Sequence, residues 1–488
     1  VKIEGLVGSA SIPGFYSSLL SSLNISTGQA VLGASTNIFA TQAPVMNGKL
    51  DAKYLSDAVS PAVVQIFHTV CGVLVYHGQA LGGSGCMTMT GSGFLATSDG
   101  YIATNGHVVV YDAKDALAGL VTSNDVVLQQ YLTAIGYTPS QIAVAKADPA
   151  RLATIISKIY DMPASQLSFA NKGELVLVSL GKNQPNIKQL SSVTTAEQLN
   201  QFRTDNEAIK QAKVVGYNYS AKDKYTAVAD PALGYTASDV ALLKVNVQHA
   251  PTIAVQTQPV VQNQRIVLMG FPGDASNPLI DNSQNDVTVT DGVVSAIRQV
   301  AGGRAQIYQS DVDASHGNSG GPAIDDQGNA IGLLTYRYVD SQTGNAAKSY
   351  IRDIADFTDL AHHEAVPIDS SSKTSEIWLS GLKNYSHNHY SAALKDFNKV
   401  SALYPPHRLA GTYIFSSKKA IANGQDVKDI PVNVLLIALG ISVLAVAGAV
   451  YIIVRHNGLH KVYQVSQTDS EGQQRSVILA HHNQPPSS

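Results

Sequence analysis

The chain has 488 residues, of which 44% are hydrophobic and only 14% charged, with 39 glycines and a formal net charge of −3. At about 150 residues per domain the length implies two to four units, and the composition suits a turn-rich β protein, not a disordered or coiled-coil one. The balance of charge, with no basic stripe interleaved with aromatics, argues against a sequence-independent hold on nucleic acid, and no nucleic-acid partner is expected.

Residues 1–55 are poor in charge and rich in Ser, Gly and Ala, and read as a loosely structured arm with room for one short helix. A β-rich domain is expected over 56–360. Period-2 alternation begins at Ser60 and runs to about residue 97, and 92–110 reads as strand, a Ser-Asp-Gly turn, then strand. The two cysteines, Cys71 and Cys86, fall in this region. They are read as a disulfide closing a local hairpin, with two buried thiols as the bland alternative, and the absence of CxxC or clustered His/Cys spacing argues against a metal. Over about 112–210 the pattern turns helical. Thr138-Pro139 and Asp148-Pro149 each read as an N-cap with proline at the first helical position. Leu152, Ile155, Ile156 and Ile159 make one apolar helical face, and 194–197 offers a capping box. The one strand-like break is ELVLVSLG at 174–181, and strands resume from about Lys213 to about Tyr338.

Residues 375–424 read as a helical hairpin with a trailing helix. Gly381, Tyr385, Tyr390, Ala393, Leu394, Phe397 and Pro405 resemble one tetratricopeptide repeat. A single repeat buries its own apolar face poorly, so the expectation is that it packs on the preceding domain or holds a protein partner; a generic helical stalk is the alternative. Val432 to Val454 is an uncharged apolar run, and about 20 such residues cross a bilayer as a helix. Arg455 and Lys461 follow it while Lys428 precedes it, so the positive-inside rule puts the polar tail 455–488 in the cytoplasm and the rest outside, where disulfides persist. The chain starts at Val1 and shows no signal-peptide pattern, so a removed signal or earlier membrane segment is expected.

Amide hydrolysis by a serine needs a hydroxyl on a tight turn, a neutral imidazole to take its proton, and a carboxylate to fix the imidazole tautomer. It also needs backbone N–H donors facing the oxygen that becomes negative. Residues 313–322 (DASHGNSGGP) suit the first and last requirements, with Ser319 as nucleophile and the N–H groups of Gly317 and Ser319 as oxyanion pair. His107 sits at the end of an apolar strand in TNGHVV, and Asp239 opens the apolar run SDVALLKV. Each alone has a bland reading: a Gly-rich turn, a surface histidine, a carboxylate at a strand start. The order His, Asp, Ser is far more specific than any one of them.

With these residues in view the chain resembles the trypsin-like superfamily, and within it the HtrA/Deg branch. The matching stretches are GSGFLATSDGYIATNGHVV (91–109), SDVALLKV (238–245), DGVVSAIR (291–298), QSDVDASHGNSGGPAID (309–325) and GNAIGLLTY (328–336). The resemblance implies a mainly β fold of chymotrypsin type: two six-stranded barrels, the triad in the cleft between them, and no metal or organic cofactor. It also implies that Leu333, Leu334 and Thr335 lie on an edge strand beside the specificity pocket, offering backbone to an extended substrate. Asp313 lies where relatives with a basic preference carry a pocket carboxylate; it either selects Arg or Lys or caps the turn and points to solvent. His316 is placed to touch the leaving side of a substrate, or is a tolerated loop residue. Two features depart from the family. His107 and Asp239 are 132 residues apart, with the helical insertion between them. No PDZ-like domain follows the barrels, and the repeat-like hairpin and apolar helix stand in its place. The reading is a membrane-anchored serine endopeptidase acting on proteins or peptides outside the cytoplasm. The alternative is a latent or inactive protease-like scaffold that binds partners through its insert and repeat-like hairpin.

Overall fold

The structure, a computed structural model, describes residues 45–46, 49–50, 52–182, 190, 192–203, 207–220, 237–256, 258–272, 286–299, 306–314, 317–339, 346–428, 432–458, 462–468, 472 and 474–480. Nearly all of the N-terminal arm, and His316, lie outside them. The chain divides into two units, Val1–Leu379 with Tyr404–Arg408, and Ser380–Leu403 with Leu409–Ser488.

The first unit holds two closed antiparallel barrels of six strands each, as a chymotrypsin-type fold requires. The first is built from β1 (Val63–Tyr76), β2 (Gln79–Leu95), β3 (Tyr101–Thr104), β4 (Leu167–Ser179), β5 (Ile209–Asn218) and β6 (Val240–Val245), in the order β1-β2-β3-β6-β5-β4. The second uses β7 (Arg265–Gly270), β8 (Thr288–Gln299), β9 (Gln306–Ser310), β10 (Pro322–Ile324), β11 (Ala330–Val339) and β12 (Ala346–Asp353), in the order β8-β9-β12-β11-β10-β7. Closure leaves neither sheet with a free edge along its whole length. The inward faces of β1, β2, β3 and β6 (Val64, Ile66, Phe94, Ile102, Leu242 and neighbours) fill one apolar core. Helix α1 (Ala52–Val59) adds Leu55 and Val59 to it, so the chain joins the barrel within the stretch read as arm. At the other end of the barrels a helix over Ile354–His363 returns to the same core, with Phe357 against Phe94.

The helical insertion is shorter than the sequence reading placed it. A single turn α2 (Gly106–Val109) follows β3, and then come α3 (Ala113–Ser123), α4 (Asp125–Ala134), α5 (Pro139–Ala147) and α6 (Pro149–Asp161). Beyond α6 the chain returns to the barrel: β4 pairs with β1 from Tyr76↔Leu167 to Gln65↔Ser179, and β5 begins at Ile209. The polar run Asn171-Lys172-Gly173 hides the first half of β4 from a periodicity reading. Proline at the first helical position and a side-chain cap start α5 at Thr138 and α6 at Asp148, as expected. The later cap is Thr195 with Gln198, one residue beyond the box read from 194–197. Cys71 and Cys86 are cross-strand partners on β1 and β2, and they form a disulfide.

In the second unit, residues 380–386 end a helix over Lys373–Ser386, followed by helices over Tyr390–Leu403 and Ala410–Ala422. These elements pack through aromatic rings, Tyr385 lying 4.9 Å from Tyr413 and Phe397 5.1 Å from Tyr413. A helix over Val432–Gly458 then presents the window Leu436–Ile453, of mean hydropathy 2.6 and wholly unburied within the chain. It is long and apolar enough to cross a membrane. The polar tail contains an antiparallel hairpin, Val462–Thr468 against Gln474–Ala480.

Candidate active site

β3 ends at Thr104, and the next residues turn once as α2, which carries His107 out of the strand. The residue that caps this turn, Asn105, reaches to the start of the neighbouring strand: its Nδ2 donates to the backbone carbonyl of Asp239 at 2.8 Å. Asp239 immediately precedes β6 and holds a left-handed backbone, φ 52°. Asp tolerates that region better than most residues, and local strain of this kind is common where a side chain must be aimed.

The aim is at His107. Asp239 Oδ1 accepts the His107 backbone N–H at 3.0 Å, and Oδ2 faces His107 Nδ1 at 2.8 Å. The Thr335 hydroxyl donates to the same Oδ2. Burial opposes ionisation of Asp239, but the adjacent imidazole and these donors outweigh it and hold the carboxyl below its ordinary range. A carboxylate against Nδ1 selects the tautomer with its proton there, leaving Nε2 as an acceptor.

Ser319 lies on the turn before β10, which the first barrel grips directly. Gly317 and Gly320 take positive φ, 95° and 82°. A Cβ on Gly320 would fall 2.2 Å from Thr104 Oγ1 and 2.3 Å from Ser92 O, so only glycine permits this approach. Ser92, on β2, anchors both ends of the turn. Its N–H donates to Ser319 O at 2.8 Å, and its hydroxyl donates to Gly317 O at 2.7 Å while accepting from Phe271 N at 2.9 Å. With both carbonyls held by Ser92, the N–H groups of Gly317 and Ser319 have no acceptor among the described residues.

His107, Ser319 and Gly317 line one cleft of about 660 Å³. No hydrogen bond joins Ser319 to His107 among the described residues; in a free enzyme such contacts commonly tighten only with substrate present.

Of the other residues singled out in the sequence, Leu334 and Thr335 line the same cleft, and Leu333 and Asp313 do not. Leu333 and Leu334 are buried in the barrel cores, and their strand is not an edge there: β11 lies between β10 and β12. The Leu334 backbone is already used, donating to Gly321 O and accepting from Gly320 N. Thr335 sits where the β11–β12 register shifts, and the bulge turns its hydroxyl to Asp239. Asp313 is exposed and does not line the cleft, so the basic preference has no support here. Ser92 and Asn105 were not singled out in the sequence; both lie inside the matching motif 91–109, which was the one available signal.

Residues 91–333 match the family model of the trypsin-like peptidase domain. No curated protein sequence matches the chain. Among solved structures it is similar to the Rv3671c protease in an inactive form, at 16% identity over 64% of this chain and 93% of that one, with a TM-score of 0.32. It is similar also to the HtrA-type protease AlgW solved with a decapeptide (16% identity, 65% of this chain and 68% of that one, TM-score 0.33). A serine endoprotease from Yersinia pestis matches at 17% identity, over 66% of this chain and 68% of that one, with a TM-score of 0.32.

Proposed function

Because the chain carries a trypsin-like peptidase domain, we propose that it is a serine endopeptidase that cleaves proteins or peptides through an acyl-enzyme formed on Ser319. One observation carries the reading: Asp239 engages both the backbone N–H and Nδ1 of His107, in the cleft that Ser319 lines. Nε2 then takes the Ser319 proton as Oγ attacks the scissile carbonyl. Asp239 balances the imidazolium that results, and the N–H groups of Gly317 and Ser319 receive the oxyanion. The imidazolium returns its proton to the departing nitrogen, and water, deprotonated by the same imidazole, releases the acyl group from Ser319.

The apolar helix over Val432–Gly458 supports anchorage in a membrane, with the peptidase domain outside the cytoplasm and the C-terminal hairpin inside. The aromatic-packed helices over 380–422 are read as a repeat-like element for a protein partner.

A fluorophosphonate probe on the full chain tests the enzyme, with Ser319→Ala as control. Labelling confined to the wild type is expected; absence of labelling in both points to a latent or inactive scaffold. Accessibility of tags at either end of the chain in intact cells tests the topology, and a cytoplasmic peptidase domain overturns it.

A further inference from the structure

The cleft that holds His107 and Ser319 has a wall that the first barrel and the insert helices build together. Met87 and Met89 of β2 face it together with Gly119 of α3 and Ile156 and Tyr160 of α6. This wall is fixed in place. The insert helices share a core with the outer half of the β1–β2 hairpin, Leu117, Leu132 and Ile159 packing with Val70, Leu74 and Leu81. Lys114 Nζ donates to the carbonyls of Tyr160 and Met162 at 2.9 and 2.6 Å, and the Tyr160 hydroxyl donates to Asp115 at 3.0 Å, tying α3 to α6. Gly119 leaves room: the nearest atoms to a Cβ built there are Tyr111 Oη at 3.8 Å and Met87 Cε at 3.9 Å.

We propose that the helical insert and the two methionines form a substrate subsite that takes a bulky apolar side chain on the leaving-group side of the scissile bond. This rests on the peptidase reading above. The side follows from the proton transfer. His107 must reach the departing nitrogen, so the departing segment runs along the wall continuous with His107, while the acyl part stays with Ser319, Ala314 and Thr335 of the second barrel. The apolar preference follows from the lining. Met87, Met89 and Ile156 offer hydrocarbon and polarisable sulfur, which adapt to aliphatic and aromatic shapes. Asp115 also lines the cleft, which disfavours an acidic side chain.

The test is a cleavage profile of the full chain on internally quenched peptides varied on both sides of the cut bond. Rates are normalised to the fraction of Ser319 that labels with a fluorophosphonate. Wild type is expected to favour Leu, Met or Phe over Gly and Asp on the leaving side by about tenfold or more, the range a hydrophobic pocket supplies. Gly119→Leu fills the site and removes that preference. Ile156→Lys, on the half-buried rim, turns the leaving-side preference toward Asp and Glu, a gain that misfolding cannot mimic. A leaving side that is flat in wild type, or unchanged in both variants, overturns the subsite while leaving the peptidase standing. Failure of wild type to turn over either the peptides or a small activated ester overturns both.

Discussion

The Ser92 hydroxyl donates to the Gly317 carbonyl at 2.7 Å, joining two residues 225 positions apart and one barrel to the other. The Ser92 N–H holds the next carbonyl but one, that of Ser319, at 2.8 Å. Two carbonyls of the turn that carries Ser319 are thereby tied back to β2, while the N–H groups of Gly317 and Ser319 have no acceptor among the described residues.

Ser92→Ala is therefore expected to lower kcat by roughly tenfold or more with little change in KM, because the loss falls on the geometry of the oxyanion donors and not on substrate binding. Removing the hydroxyl also strands Phe271 N and Gly317 O, at a cost of about 1–3 kcal/mol. Steady-state kinetics separate the cases: a raised KM at unchanged kcat would place Ser92 outside the catalytic geometry.

Thr335→Val removes one of the donors that hold Asp239 ionised. Asp239 titrates below its ordinary value of 3.8, so its contribution to stability is present above that value and is lost as pH falls through the lower, folded one. Without the hydroxyl the folded value rises, and acid unfolding should begin at higher pH than in wild type. Fluorescence of the buried Trp378 followed against pH reads this, and superimposable acid transitions would contradict it.

His407 packs against Trp378 with ring centroids 4.3 Å apart, and burial pushes its pKa from 6.5 down to about 3. Its folded form is neutral, while the unfolded chain takes up a proton below 6.5. Stability should fall as pH drops from 6.5 to about 3, by up to about 1.4 kcal/mol per pH unit for one proton. His407→Phe keeps the ring contact and should flatten this slope. Urea midpoints measured between neutral pH and pH 4 give the comparison, and equal slopes would mean that His407 does not govern the acid limb.

The Cys71–Cys86 bridge closes a loop of 15 residues. In the chain-entropy account such a loop contributes about 3 kcal/mol. The double change to serine should lower the denaturant midpoint of the first unit accordingly. Equal midpoints with and without the bridge would show that hairpin pairing alone orders this region in the unfolded chain.

The candidates His107, Asp239 and Ser319 were legible because each stands in a local pattern. Glycines stand beside Ser319, and Asp239 and His107 each open or close an apolar strand whose period can be read. Helix starts at Thr138 and Asp148 were legible for the same reason, since a cap and a proline act within a few residues. The first half of β4 was not, because its polar residues satisfy no period of their own and are strand only by pairing with β1.

By itself, then, the sequence marked His107, Asp239 and Ser319 as candidates, the helical character after His107 and the apolar helix near the C-terminus, and its resemblance to the trypsin-like superfamily implied the two barrels. The individual motifs and the apolar helix each depend on side chains within one turn or one strand of each other. Only the tertiary structure decided the work of Ser92, Asn105 and Thr335, the exposure of Asp313 and the place of the insert along the cleft. Ser, Asn and Thr carry hydrogen-bonding groups that act anywhere, and what they do is set by partners 225, 134 and 96 residues away. Only closure of the barrels brings those partners within reach.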